Sequence, residues 1–144
     1  MIDVWLELDN VIDEIRNISD LMGFALVRRD GIIVAHGLTN GADPRVVAAM
    51  TAAMSGTAEM ATEQLRQGRF LRTIIECEQG KILLTDAGKQ ALLMSLVFSD
   101  ANLGLVLMEL EKVGKRIAGI LDETGKTDCE IRGNREVMRV DRTV

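Results

Sequence analysis

The sequence predicts an α+β domain in which helices cover an antiparallel sheet, and three observations predict it. An Asp30-Gly31 pair between two apolar runs is typical of a tight two-residue hairpin turn, in which both residues have a positive φ. Three further apolar runs between Phe70 and Phe98 are joined by links too short for parallel crossovers. Segments with apolar residues at steps of three and four precede, separate and follow these strands, which predicts three helices.

The first half of the chain contains two helices and the hairpin. Residues 4–18 carry one apolar stripe at helical spacing, and the hairpin strands are predicted over residues 22–28 and 32–36. Asp43-Pro44 then supplies an N-cap and a first-turn proline, which predicts a long helix to about Gln67, ended by Gly68.

The long helix has two stripes at helical spacing. We expect the first, with larger apolar residues, to pack on the sheet. Small residues dominate the second and would let another backbone approach closely, and a mid-helix glycine there costs about 1 kcal/mol relative to alanine. The alternative is that alanine is simply a good helix former. The first stripe is Val47, Met50, Met54, Ala58, Ala61 and Leu65, and the second is Val46, Ala49, Ala53, Gly56 and Met60.

The second half is predicted to form an antiparallel meander of strands over residues 70–78, 81–86 and 90–98. The last strand is apolar on both faces, so we expect it in the centre of the sheet with helices on each side. A final helix begins near Asn102. Residues 1–121 form the predicted domain, and residues 122–144 a mobile polar tail, with an added strand over residues 137–142 as the alternative.

Composition limits the classes of function. The 144-residue chain is 47% hydrophobic, which is apolar for a small protein and favours a face covered by a partner. A net charge of −5 argues against nucleic-acid binding. The longest apolar run, residues 91–98, is far short of the roughly 18 residues of a membrane span. Without a secretory signal, the expected location is cytoplasmic, with no membrane insertion.

Few residues offer catalytic or metal-binding chemistry. His36, the only histidine, is expected at the end of an edge strand or in its loop, without a triad partner. Gly125-Lys126-Thr127 is similar to the end of a phosphate-binding loop, but the upstream glycine spacing is wrong. Cys77 and Cys129 lack metal-ligand spacing, and Cys77 is predicted to be buried. We therefore expect no catalytic residue, no metal and no cofactor.

Four short motifs follow one another in order along residues 4–121. They are Arg29-Asp30-Gly31 with its following strand, Val47-Ala48-Ala49-Met50, Ile74-Ile75-Glu76 before the Gly80 turn, and Asn102-Leu103-Gly104-Leu105. In this order and spacing the chain resembles the Roadblock family, which includes dynein light chains and bacterial regulators of small GTPases. The resemblance implies a five-stranded antiparallel sheet of order 2-1-5-4-3, Roadblock/profilin-like, with the long helix on one face and the two terminal helices on the other.

The resemblance also implies a homodimer in which the long helices pair and the third strands join edge to edge. It implies a non-enzymatic adaptor that binds and regulates a Ras-like small GTPase. The alternatives are a purely structural scaffold or docking subunit with no effect on nucleotide hydrolysis, then a small-ligand sensor, and last an enzyme. The predicted dimer residues are Val46, Ala49, Ala53, Gly56, Met60, Arg72 and Ile74, and the predicted partner-binding residues are Arg45, Ala52, Glu59, Glu63 and His36.

Overall fold

The computed structural model describes residues 4–39, 41–123 and 138–139. The long helix ends at Gln64, earlier than predicted, and the last helix continues to Glu123. Most of the predicted tail, including Cys129 and residues 125–127, lies outside the described residues. The elements in chain order are α1 (Val4–Arg16), β1 (Leu21–Arg28), β2 (Ile33–Gly37), α2 (Pro44–Gln64), β3 (Arg72–Glu76), β4 (Gly80–Asp86), β5 (Ala91–Phe98), α3 (Leu103–Glu123) and β6 (Met138–Arg139).

The sheet has the order β3-β4-β5-β1-β2-β6. Its five main strands are antiparallel, which confirms the predicted order 2-1-5-4-3. The short strand β6 adds to the free side of β2 in parallel. β5 lies in the centre, as its apolar sequence predicts, and is buried along most of its length.

The sheet separates two hydrophobic cores, because alternate residues of a strand point to opposite faces. Phe24 and Leu26 of β1 belong to the core that α1 and α3 cover. Ala25 and Val27 belong to the smaller core under α2. An ion pair between Glu14 and Arg116 joins α1 to α3. No helix in the described part of the chain is long and apolar enough to cross a membrane.

Two glycines are required by the backbone of this fold, one in a turn and one at a close contact between a helix and a strand. The predicted two-residue turn is longer in the structure, because β1 ends at Arg28 and β2 begins at Ile33; of Asp30 and Gly31 only Gly31 has a positive φ, +92°, a conformation that disfavours other residues. Gly114 lets α3 approach the end of β4 so closely that a Cβ there would collide with the carbonyl oxygen of Asp86. The α3 helix is thereby held against the sheet by backbone proximity as well as by its apolar stripe.

The start of α2 matches the prediction, and its buried face matches it in part, since Val47 and Met54 pack partly buried against the smaller core. Asp43 Oδ1 accepts a hydrogen bond from the backbone N–H of Arg45 at 3.0 Å, and Pro44 opens the first turn. Met50 and Leu65 of the stripe expected on the sheet are 51% and 68% exposed. Alanines on every side leave the helix without a distinct apolar stripe, so the period alone could not select the packed face.

The predicted burial of Cys77 is also wrong. Cys77 is exposed. β3 ends at Glu76, and Cys77 lies in the turn to β4, where its N–H donates to the carbonyl of Gly80 at 2.8 Å. An edge strand and its turn lack the neighbour on one side that would bury this thiol.

Candidate functional site

The long helix α2 exposes several of its large apolar side chains, and the residues that it buries most deeply are small or polar. Ala48, Thr51 and Ser55 are the residues that it buries completely against the sheet. Met60, in contrast, is 68% exposed. Val47 and Met54 pack partly buried against the smaller core, so the apolar residues of α2 are divided between its two sides, unlike those of an ordinary amphipathic helix. The solvent side of α2 therefore offers an apolar surface that nothing in the described chain covers.

The predicted dimer residues of α2 share that solvent side. A Cβ at Gly56 would meet no atom within 4 Å. Small residues thus lie between larger ones at the two ends, which is the arrangement that lets a second helix come close. We call the following six exposed residues the α2 outer face: Val46, Ala49, Met50, Ala53, Gly56 and Met60.

The strand β3 is the edge of the sheet in the described structure, since its ladder pairs it with β4 alone. Arg72, Ile74 and Glu76 alternate along it, point to the same face and are exposed. Thr73 and Ile75 point to the opposite face and are half-buried. The predicted dimer residues Arg72 and Ile74 therefore lie on a sheet edge with unpaired backbone groups, which can accept another strand.

Comparison with known proteins gives the family. Residues 7–97 match the model of the Roadblock/LC7 domain. The chain belongs to the Roadblock/LC7 domain family. Uncharacterized protein MJ1340 of Methanocaldococcus jannaschii is 32% identical over 110 residues, which cover 76% of this chain and 96% of that protein. Uncharacterized protein MJ0310 of the same archaeon has the same identity and coverage. The family predicted from the sequence motifs is confirmed.

Solved structures have the same fold as this Roadblock/LC7 domain. Myxococcus xanthus MglB has a TM-score of 0.79 at 18% identity, covering 89% of this chain and 97% of that one. An MglB with tetrameric arrangement has a TM-score of 0.76 at 20% identity, covering 85% and 93%. Acanthamoeba castellanii profilin II has a TM-score of 0.54 at 13% identity, covering 76% and 94%. At such identities the likeness concerns the fold, and it confirms the Roadblock/profilin-like architecture.

Four of the predicted partner-binding residues of the Roadblock/LC7 domain follow one side of α2, at spacings of seven, seven and four residues, and the remaining one, His36, lies on β2. Arg45 and Glu63 are exposed near opposite ends of α2, and Ala52 is half-buried. His36 lies within β2 and is only 9% exposed. His36 lies next to the last residue of β2, near the strand end that the sequence predicts, but it is buried and so offers little surface to a partner. Apart from Glu59, only Arg45 and Glu63 of the five predicted residues are exposed.

The fifth predicted residue, Glu59, belongs to a cluster that joins three parts of the domain. Arg29, in the β1–β2 turn, places Nη1 2.8 Å from Glu59 Oε1 on α2. Its Nη2 donates to the carbonyl of Gly88 at 2.8 Å and pairs with Asp86 at the β4–β5 turn. Sequence reasoning missed this cluster. The predicted strand order contained a signal for it, because β1 and β5 are antiparallel neighbours and the β1–β2 and β4–β5 turns therefore lie at the same end of the sheet.

A cleft of about 910 Å³ lies beside this cluster, between α2, the start of β3 and α3. Five basic and five acidic side chains line it, so it presents no field of one sign that would select an anion or a cation. Among the described residues, no group of three or more His, Cys, Asp or Glu side chains could hold a metal ion. The open apolar surface that this domain does present, the α2 outer face, is suited to contact with another polypeptide.

Proposed function

We propose that this Roadblock/LC7 domain is a homodimeric adaptor that binds a Ras-like small GTPase and regulates its nucleotide cycle without catalytic chemistry of its own. The observation that carries the proposal is the α2 outer face. Val46 and Met50 are each 51% exposed, and Met60 still more. Leaving such side chains in water forgoes roughly 25 cal/mol for each Å² of apolar surface that a partner would cover. A second copy of this chain, with its own α2 outer face, can cover this surface.

The β3 edge supports the same two-fold arrangement through its charges. In antiparallel pairing about an axis through Ile74, Arg72 lies directly opposite Glu76 of the partner subunit. The two-fold rotation produces a second, identical pair on the other side of the axis. Each opposite-charge cross-strand pair contributes roughly 0.2–1 kcal/mol. The edge is thus complementary to itself in this register, as a two-fold interface requires.

The dimer interface is tested by a matched pair of substitutions on α2. Ala53→Glu introduces a charge into the proposed interface, and a buried unpaired charge costs several kcal/mol. Ala61→Glu makes the same change at an exposed position of α2 outside the α2 outer face. Light scattering after size exclusion should give a monomer for Ala53→Glu and a dimer for Ala61→Glu. A dimer of unchanged stability in both variants would contradict pairing through this face.

The link to a GTPase rests on membership of the Roadblock/LC7 family, since the Roadblock family includes bacterial regulators of small GTPases such as MglB. The similar solved structures include MglB proteins, one of them in a tetrameric arrangement. Paired α2 helices on a continuous sheet form a rigid surface, and such a surface can hold a mobile switch region of a GTPase in one conformation. We expect any acceleration of hydrolysis to come from ordering the catalytic groups of the GTPase itself.

The regulatory role is tested by measuring GTP hydrolysis and nucleotide release of small GTPases from the same genome, with and without this domain. Arg45→Glu with Glu63→Lys should weaken the effect, because both side chains are exposed on α2 outside the α2 outer face. Lys112→Glu, an exposed change on α3, is the control. Binding without any change in hydrolysis or release would contradict regulation and would support the scaffold alternative.

A further inference from the structure

The β2 edge of the sheet is apolar and buried, unlike the β3 edge. Ile33, Val34 and Ala35 are at most 6% exposed, and β2 carries neither a proline nor a charged residue. Natural proteins usually protect a sheet edge with charges, proline, bulges or a cover, since a bare edge is a template for strands of other molecules. β3 has the charges Arg72 and Glu76. β2 has no such charge, and its register with β1 shifts only once, at Val34, so the regular part of its edge over residues 35–37 still needs a cover.

In this structure the cover is β6. Met138 and Arg139 pair in parallel with Ala35 and His36. The connecting residues 124–137 can span up to roughly 45 Å when fully extended, from the limit of about 3.3 Å per residue. A small domain is about 30 Å across. The segment can therefore reach β2 of its own chain. Pairing within one chain avoids the entropy cost of associating two molecules.

We propose that β6 is a cap that the chain supplies to its own β2 edge, and that its pairing prevents β2 from joining strands of other molecules. The β3 edge then remains the edge through which copies pair, so that assembly is limited instead of extending in both directions. This proposal is independent of the GTPase role, because it concerns the opposite edge of the sheet and needs no partner protein.

Hydrogen exchange of the full-length chain tests the cap. Met138→Pro with Arg139→Pro removes both backbone donors of β6, so whichever of them points at β2 is lost. Met138→Ile with Arg139→Lys keeps both donors and is the matched control. We expect the β2 amides in residues 33–37 that point away from β1 to exchange about tenfold faster in the proline variant, with the β5 amides unchanged, because only the edge loses its pairing. The control should exchange like the unmutated chain.

Three results would overturn the proposal. Equal exchange of residues 33–37 in the proline variant and the unmutated chain would mean that β6 does not protect β2. Protection of the unmutated chain that grows with protein concentration would assign the covering strand to a second copy. A light-scattering mass of the proline variant that stays equal to that of the unmutated chain at high concentration would contradict the capping role, which predicts larger assemblies.

Discussion

Gly56 lies in the middle of α2, and adding one carbon atom there should have opposite effects on the stability of an isolated chain and of a dimer paired through α2. In the single chain a Cβ there meets nothing within 4 Å. Gly56→Ala would therefore stabilise an isolated domain by about 1 kcal/mol through helix propensity. In a dimer whose α2 helices approach at Gly56, the substitution adds one carbon from each copy to a close contact. Overpacking of this kind costs about 1–3 kcal/mol.

The expected result is a dimer Kd raised by about 5- to 150-fold, the equivalent of that cost. Gly119→Ala is the matched control, because Gly119 lies within α3 and a Cβ there also meets nothing within 4 Å. It should stabilise the protein by about 1 kcal/mol and leave the Kd unchanged. The Kd comes from a dilution series, and the stability from urea unfolding at one protein concentration, since dimer stability depends on concentration.

Equal stabilisation by Gly56→Ala and Gly119→Ala, with an unchanged Kd in both, would refute a close helix approach at Gly56. The small residues of α2 would then be explained by helix propensity alone, which is the alternative that the sequence left open.

Three further predictions concern the single domain. Gly114→Ala should destabilise it by about 1–3 kcal/mol in urea, because the new Cβ collides with backbone at Asp86, and an unchanged midpoint would contradict the close approach of α3. Arg29→Ala should cost only about 1 kcal/mol, and less at high salt, because its ion pair with Glu59 is partly exposed; a loss independent of salt would be inconsistent with this account. Ser95 Oγ is buried without a hydrogen-bond partner among the described residues, so Ser95→Ala should leave stability unchanged or raise it by about 1 kcal/mol, and a clear loss in thermal unfolding would argue against that environment.

Elements governed by local rules were predictable from the sequence. The Asp30-Gly31 turn gave the first hairpin, because few residues adopt its backbone conformation. β5 was placed in the centre of the sheet because both of its faces are apolar, and burial on both faces is available only there. Asp43 and Pro44 fixed the start of α2 through capping chemistry.

Features that depend on distant residues were not predictable. The packed side of α2 is set by the sheet beneath it, and alanines around the helix leave no local preference. The contacts of Arg29 with Glu59 and Asp86 join residues far apart in sequence, so no spacing rule indicates them. The pairing of His36 with Arg139 joins β2 to a segment far along the chain, and the sequence indicated an added strand there only as an alternative to a mobile tail.

The most direct test of the central claim, a domain that functions as a dimer paired through α2, is the mass of the unmutated protein in solution. Light scattering after size exclusion, repeated across micromolar concentrations, should give twice the 15.8 kDa chain mass. The same measurement on Ala53→Glu should give 15.8 kDa. A single-chain mass for the unmutated protein at every concentration would contradict the account.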